Sequence, residues 1–347
     1  MHYSGTPPMS LALPSQLLLQ QELPEQALLI NPPLDDLASS IPRDWTIASF
    51  SHTVNNVYQK SGFVTQSVTE LPNSKFDSIY IYLPKAKARL KYIIDYANNC
   101  LAENGDIFFI GENKGGIKSL AKNIKNNYEK VDKLTSGKHS AIVAASSPID
   151  IAKFDLENFY SEQKNELGLS LNALPGVFSQ DSLDKGTQVL LDNLPRKIKG
   201  RVLDFGCGAG IIGSYISKNC EFEEIEMLDD DLLAVKSCQK NIEDNKIAYT
   251  ECYASNGLEK ANKEERYTWI ISNPPFHQGV KTNYNVTETF LKQAKDYLKL
   301  SGKLLIVANE FLNYEVTLKE HFKGVNVLKN ERGFKVIQCE GIMRKKK

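Results

Sequence analysis

Two short segments hold residue types whose spacing could do chemistry. Asn273-Pro-Pro-Phe276 follows the apolar strand pattern Trp269–Ser272. Two prolines restrict this backbone and remove N–H donors, so carbonyl oxygens can face a ligand without local competition. The Asn273 side-chain oxygen and the Pro274 carbonyl make two acceptors, which suits the two hydrogens of a planar amine. Such a turn would orient a nitrogen for attack and stabilise the positive charge it gains. Phe276 can stack on the base that carries the amine. No strong base is required, because the nitrogen loses its proton after alkylation; His277 is therefore read as shaping the pocket.

The second segment is Gly206-Cys-Gly-Ala-Gly210, between the strand pattern Arg201–Phe205 and a helical pattern from Ile211. Glycines let the backbone turn sharply and approach a ligand, and the helix start offers unpaired N–H groups to an anionic end. The strand Glu224–Leu228 ends at Asp229, where a carboxylate can accept both ribose hydroxyls of a nucleoside. The loop alone leaves two cofactors open. Gly208-x-Gly210-x-x-Gly213 with Asp229 about 20 residues on satisfies the dinucleotide fingerprint of a nicotinamide-dependent oxidoreductase. Asp204 completes Asp-x-Gly-x-Gly-x-Gly, which resembles the first motif of class I methyltransferases and points to S-adenosylmethionine. A methionine moiety carries an ammonium as well as a carboxylate, so acceptors are needed near the loop. By contrast, Asn31-Pro32-Pro33 has no such loop upstream and reads as a plain connection.

The elements that must position these segments occur twice. Phe76–Pro84 has the same spacing from aromatic to proline as Tyr267–Pro275. Each stretch precedes a helical pattern, at Ala88–Leu101 and Glu288–Leu300, and then a glycine-led strand at Gly105 and Gly302. The strand patterns Ser140–Ala144 and Lys335–Cys339 close the two copies. Strand and helix alternating in this way indicate α/β layers on a largely parallel sheet. The reading is two tandem α/β domains, residues 1–165 and 166–347, with a boundary inside the Pro- and Gly-containing link 146–183. Tyr82 and Leu83 stand in the places of Asn273 and Pro274, so the first copy lacks the chemistry.

A length of 347 residues also favours two domains. Forty-two basic residues balance forty-two acidic ones, so a nucleic-acid partner must be engaged by a local patch. Lys114, Lys118, Lys122 and Lys125 are spaced for one helix face, and Lys130, Lys133 and Lys138 follow. Six cysteines without a CxxC pair or zinc spacing read as reduced, buried thiols, and no metal is expected. The stretch Leu11–Leu19 contains Pro14 and Gln16 and lacks a basic flank, so it is a poor signal peptide. A cytoplasmic, monomeric protein without a membrane partner is expected.

The second half resembles the catalytic domain of the bacterial 16S ribosomal RNA guanine-N2 methyltransferases, the RsmC family. The matching residues are Pro175-Gly-Val-Phe-Ser179, Leu183-Asp-Lys-Gly-Thr187, Val202–Gly210, Asp229, Ala254-Ser-Asn256, Asn273-Pro-Pro-Phe-His-Gln-Gly279 and Val307-Ala-Asn309. The first half resembles that family's degenerate methyltransferase-like domain, notably at Gly111-Glu-Asn-Lys-Gly-Gly-Ile117. The resemblance implies two class I, Rossmann-like methyltransferase domains, the N-terminal one degenerate and serving RNA recruitment and folding. It implies methyl transfer from S-adenosylmethionine to the exocyclic N2 of one guanine in 16S rRNA of the small ribosomal subunit. Asp204, Gly206, Gly208 and Gly210 would line the methionine end, Asp229 would take the ribose, and Ser255 or Asn256 would lie near the adenine. Asn273, Pro274, Pro275 and Phe276 would be the catalytic turn. In the acidic run Asp229-Asp230-Asp231, Asp230 competes for the ribose role. A large-subunit guanine-N2 enzyme, a DNA adenine-N6 or a protein glutamine-N5 methyltransferase remain alternatives within the same chemistry.

Overall fold

The computed structural model describes residues 10–275 and 281–343, the side chains of 281–285 excepted. The chain divides into two compact units, Met1–Phe159 and Tyr160–Lys347. The first contains strands β1 (Leu28–Ile30), β2 (Thr46–Ala48), β3 (Val64–Gln66), β4 (Phe76–Tyr82), β5 (Leu101–Glu112), β6 (Tyr128–Gly137) and β7 (Ser140–Pro148). Its helices are α1 (Leu13–Leu18), α2 (His52–Lys60), α3 (Arg89–Cys100) and α4 (Ile117–Ile124). In the second unit the short pair β8 (Ser161–Glu162) and β9 (Asn172–Ala173) precedes β10 (Arg201–Phe205), β11 (Glu224–Asp229) and β12 (Thr250–Ala254). The strands β13 (Tyr267–Ser272), β14 (Leu298–Asn309), β15 (Phe322–Glu331) and β16 (Phe334–Ile342) complete its sheet. The helices are α5 (Lys185–Asp192), α6 (Ile211–Asn219), α7 (Leu232–Asp244), α8 (Lys281–Tyr297) and α9 (Tyr314–Lys319).

The two seven-stranded sheets have one topology, β3-β2-β1-β4-β5-β7-β6 and β12-β11-β10-β13-β14-β16-β15. Five strands run parallel, and an antiparallel hairpin closes the edge, with its second strand inserted next to β5 or β14. This is the expected pair of Rossmann-like methyltransferase folds. The inserted antiparallel strand separates them from the 3-2-1-4-5-6 order of dinucleotide-binding sheets, which removes the oxidoreductase reading.

Residue patterns explain the layers. β10 is apolar on both faces: Val202 packs with Ile225, Met227, Ile271 and helix α6, while Leu203 and Phe205 face Ile270, Leu304 and helix α8. Successive side chains point to opposite faces, so a strand covered on both sides needs a continuous apolar run. Each such buried side chain contributes about 1.5–3 kcal/mol. Helix starts are marked in the sequence: Ser51 caps α2, Asp184 caps α5 and Asp231 caps α7 by accepting N–H groups of the first turn. The Leu11–Leu19 stretch is used as core, since α1 buries Leu17 and Leu18.

One helical expectation needs correction. Lys114, Lys118, Lys122 and Lys125 do not share a continuous helix. Gly116, at φ 99°, separates a 3-10 turn holding Lys114 from α4, and Lys125 is the C-cap. Lys118 and Lys122 remain exposed on α4, and Lys130 and Lys133 are exposed on the edge strand β6.

Candidate active site

In the second unit the strand order reverses between β10 and β13, and open α/β sheets bind ligands beyond the C-terminal strand ends at such a point. The glycine loop leaves β10 there, and the proline turn leaves β13. Their neighbourhood is direct: a Cβ built on Gly206 would lie 4.0 Å from Pro275 Cδ, and Ser272 Oγ donates to the Phe205 carbonyl at 2.7 Å.

The loop is held open from below. Gly206 N–H donates to the Leu228 carbonyl at 2.8 Å, and Gly208 N–H donates to Asp229 Oδ2 at 2.9 Å. Gly208 sits at φ 55°, and no heavy atom lies closer than 3.8 Å to where its Cβ would be, so this face is free for a ligand. Gly210, at φ 79°, turns the chain into α6, where a Cβ would meet Cys238 Sγ at 2.6 Å. A glycine is required there by both backbone and packing.

Asp204 lies beneath this loop, sealed from the surface. Its Oδ2 accepts Gly213 N–H at 3.1 Å, while Oδ1 is buried without a partner among the described residues. Burial, with the Cys207 thiol nearby, pushes its pKa well above the ordinary carboxylate range. Asp229 is half-buried and accepts Asp231 N–H as well as Gly208 N–H. Desolvation and the neighbouring Cys207 and Asp231 raise its pKa to about 8. Two crowded carboxyls and an orphaned acceptor around an open glycine loop fit a ligand that brings positive charge and hydroxyl donors. Asp229 is joined to the loop through Gly208. Ser255 is turned inward, donating to Gly257 O at 3.0 Å and accepting Lys260 N–H at 3.2 Å. Asn256, by contrast, is exposed.

The proline turn is anchored on three sides. Asn273 Nδ2 donates to Asp184 Oδ1 at 3.1 Å and to Thr187 Oγ1 at 2.9 Å. Its Oδ1 is buried and unpartnered among the described residues. Such an orphan costs about 1–3 kcal/mol unless a donor arrives, and native interiors rarely tolerate one. Pro274 is buried, Pro275 is exposed, and the Pro275 carbonyl accepts Thr287 Oγ1 from α8 at 2.6 Å. Phe276 and His277 lie outside the described residues.

Several neighbours had no assigned role at the level of sequence. Phe178, half exposed, faces the open side of Gly208, with its Cβ 3.8 Å from the position a Gly208 Cβ would take. Asp184 and Thr187 were visible only as part of Leu183–Thr187; their reach to Asn273 spans 89 and 86 positions. Under the loop, Cys207, Cys238 and Cys252 bring their sulfurs within 4.8 Å of one another. Hydrogen bonds from Cys207 and then Cys238 hold the pKa of the Cys252 thiol below its ordinary value. No cysteine spacing announced this cluster, because its members come from a loop, a helix and a strand.

Comparison with known proteins agrees with this fold. Residues 168–338 match the family described as Methyltransferase small domain, and residues 15–163 match Methyltransferase small domain N-terminal. The chain is 36% identical over 348 residues to Ribosomal RNA small subunit methyltransferase C of Pseudoalteromonas atlantica, spanning 95% of this chain and 99% of that protein. The protein of the same name from Acinetobacter baumannii is 36% identical, over 93% of this chain and 98% of its own. Among solved structures, the T. thermophilus 16S rRNA N2 methyltransferase (RsmC) in complex with AdoMet and guanosine shares the fold, with a TM-score of 0.82 at 23% identity. That likeness covers 94% of this chain and 91% of the other.

Proposed function

The chain belongs to the ribosomal RNA small subunit methyltransferase C family, and from that premise we propose how its residues carry out the reaction. The protein transfers a methyl group from S-adenosylmethionine to the exocyclic N2 of a guanine in 16S rRNA. The observation that carries this assignment onto the site is the buried, unpartnered Asn273 Oδ1, an acceptor waiting beside the glycine loop.

The cofactor supplies an electrophilic methyl group on a sulfonium. Gly206, Gly208 and Gly210 give the loop its open face, and the α6 N-terminus offers N–H groups to the methionine carboxylate. Asp204 acts from beneath the loop, holding Gly213 through Oδ2 and leaving Oδ1 as a free acceptor below the ammonium end. Asp229 takes the ribose hydroxyls, and Asn256 is the side chain exposed for the adenine. Asn273 Oδ1 and the Pro274 carbonyl accept the two N2 hydrogens of the guanine, with Phe276 stacking on the base. These oxygens hold the amine lone pair towards the methyl group and stabilise the charge that N2 acquires. The proton leaves N2 once it is methylated, so water suffices as its acceptor.

The first unit is the degenerate domain, which recruits RNA and supports folding, and the second unit is the catalytic domain. Exposed Lys118 and Lys122 on α4, with Lys130 and Lys133 on β6, provide phosphate contacts. Among the described residues no helix is long and apolar enough to cross a membrane. We place the protein in the cytoplasm as a monomer acting on the small subunit.

Transfer of labelled methyl to 30S subunits, with the modified nucleotide mapped, tests the assignment. Label on a guanine N2 of 16S rRNA, lost in Asn273→Ala, is expected; label only on 23S rRNA, DNA or protein overturns it. Charge reversal at Lys118 and Lys122 should weaken rRNA binding and flatten its salt dependence by a slope of about one to two. An unchanged salt slope removes these lysines from the RNA contact.

A further inference from the structure

Asn273 serves an amine only when its amide shows oxygen to the pocket, because the flipped amide would show N–H donors instead. We infer that Asp184 and Thr187 are positioning residues that set this orientation and so make the site selective for a nitrogen donor. The inference rests on the reading of Asn273 as the acceptor of the substrate amine.

The polarity of the contact is fixed by chemistry. Asp184 Oδ1 accepts Thr187 N–H at 2.9 Å as the N-cap of α5 and receives the Thr187 hydroxyl at 3.5 Å. With its proton directed to the carboxylate, Thr187 Oγ1 has lone pairs left for Asn273. Both hydrogens of Asn273 Nδ2 are then consumed, one by Asp184 Oδ1 and one by Thr187 Oγ1. A flipped amide would set its oxygen against a carboxylate oxygen with no proton between them, an arrangement a charged acceptor excludes. Oxygen therefore faces the pocket, where it matches an N–H donor and mismatches a carbonyl edge such as guanine O6.

The local sequence is built to hold this arrangement. A Cβ on Gly186 would lie 2.9 Å from two atoms of the Phe334 ring and 3.1 Å from Asp184 Oδ1, so the residue just before Thr187 has to be small. Thr187 is buried, which keeps water from competing for the amide.

The first unit supplies an internal control. Ser15 stands three residues after the α1 cap Ala12, as Thr187 stands three after Asp184. Ser15 Oγ and Tyr82 Oη are hydrogen-bonded at 2.9 Å, and Tyr82 holds the position of Asn273 in its strand. The hydroxyl tie between helix and strand thus occurs in both units. In the first unit the carboxyl beside Ser15 belongs to Asp35, which accepts Ala12 N–H at 2.9 Å from outside the helix, whereas Asp184 is itself the cap of α5.

The test uses the full-length protein with 30S subunits. Asp184→Asn keeps shape and capping ability but loses the charge; Thr187→Val keeps shape but loses the hydroxyl; Thr187→Ser restores it. The first two should lower kcat about 10- to 100-fold while S-adenosylhomocysteine affinity and rRNA KM stay within about threefold. Thr187→Ser should stay near wild type. In an Asn273→Ala background neither substitution should lower kcat further. Equal losses in both backgrounds, or wild-type kcat in Thr187→Val, overturn the inference. A second readout is independent of turnover: the Asn273 side-chain amide protons, followed by 15N NMR, should exchange slowly in wild type and rapidly in Asp184→Asn. Rapid exchange in wild type overturns the positioning role even if methyl is transferred. Slow exchange without methyl transfer to 30S subunits leaves the positioning intact and overturns the functional reading instead.

Discussion

The two units share a sheet order and differ at the few loop positions where a ligand would sit. In the second unit Gly206 N–H donates to Leu228 O at the end of the neighbouring strand; in the first, Asn31 N–H donates to Ala48 O at the matching register position. Asn31 holds the left-handed φ of 57° that Gly206 holds at 67°. Beyond this residue the two loops diverge. Pro32 and Pro33 replace Cys207 and Gly208, so the N–H that reaches Asp229 has no counterpart. Ser49 stands in the place of Asp229, and each accepts the N–H two residues on, from Ser51 and Asp231 respectively. Asn31 Nδ2 donates across to the Tyr82 carbonyl at 3.1 Å, tying together the two strand ends that flank the active cleft in the second unit. A 3-10 turn, Asp36–Ser39, replaces the helix that would have met the ligand's anionic end. Architecture needs only apolar residues in the right period, which many sequences satisfy. A site needs particular groups at particular points, and a few substitutions remove it.

The comparison is broken most readily at its chemical centre. Asn273→Ala should cost about 10²- to 10³-fold in kcat, as loss of one preorganised stabilising group does. Tyr82→Phe, at the matching strand position, should leave kcat at the wild-type value in folded protein. Rate loss of similar size in Tyr82→Phe would mean that the first unit takes part in the chemistry.

Packing gives the next contrast. Gly210→Ala adds a methyl 2.6 Å from Cys238 Sγ at a positive φ, and should destabilise the second unit by about 2–4 kcal/mol in urea unfolding. Gly62→Ala in the first unit, also at positive φ but with nothing within 4 Å, should cost only the backbone part, about 1–2 kcal/mol. Equal losses would remove the packing explanation for Gly210.

The last contrast is in pH dependence. Asp229 has its pKa raised from 3.8 to about 8 in the folded, ligand-free protein. Between these values the folded chain holds a proton that the unfolded chain has released. Its stabilising contribution is therefore complete below the lower value and is lost as pH rises through about 8. Asp229→Asn should flatten that fall in the thermal midpoint of the second unit, whereas Ser49→Ala should leave the pH slope unchanged. A slope that persists in Asp229→Asn assigns it to other groups, Asp204 first among them.

Much of the molecule was legible in one dimension. β10 runs over Arg201–Phe205 as its apolar run and following glycine require, and the repeated spacing from Phe76 and Tyr267 marks two strands that hold the same sheet position. Both segments that could do chemistry flank the point where the strand order reverses. The lysine run misled, because spacing along the chain ignored the break that Gly116 makes. Ser255 was legible as a polar residue beside Asn256, but not as one whose hydroxyl is consumed by its own turn.

The sequence by itself determined the strands, the duplication and the proline turn, because these arise from local periodicity and from backbone limits that Pro and Gly carry with them. Only the tertiary structure decided that Asp184 and Thr187 hold the Asn273 amide, that three distant thiols meet under the loop, and that Asn31 occupies the place of Gly206. Each of those is a meeting of residues far apart in the chain, and their distances depend on how strands pair and helices pack.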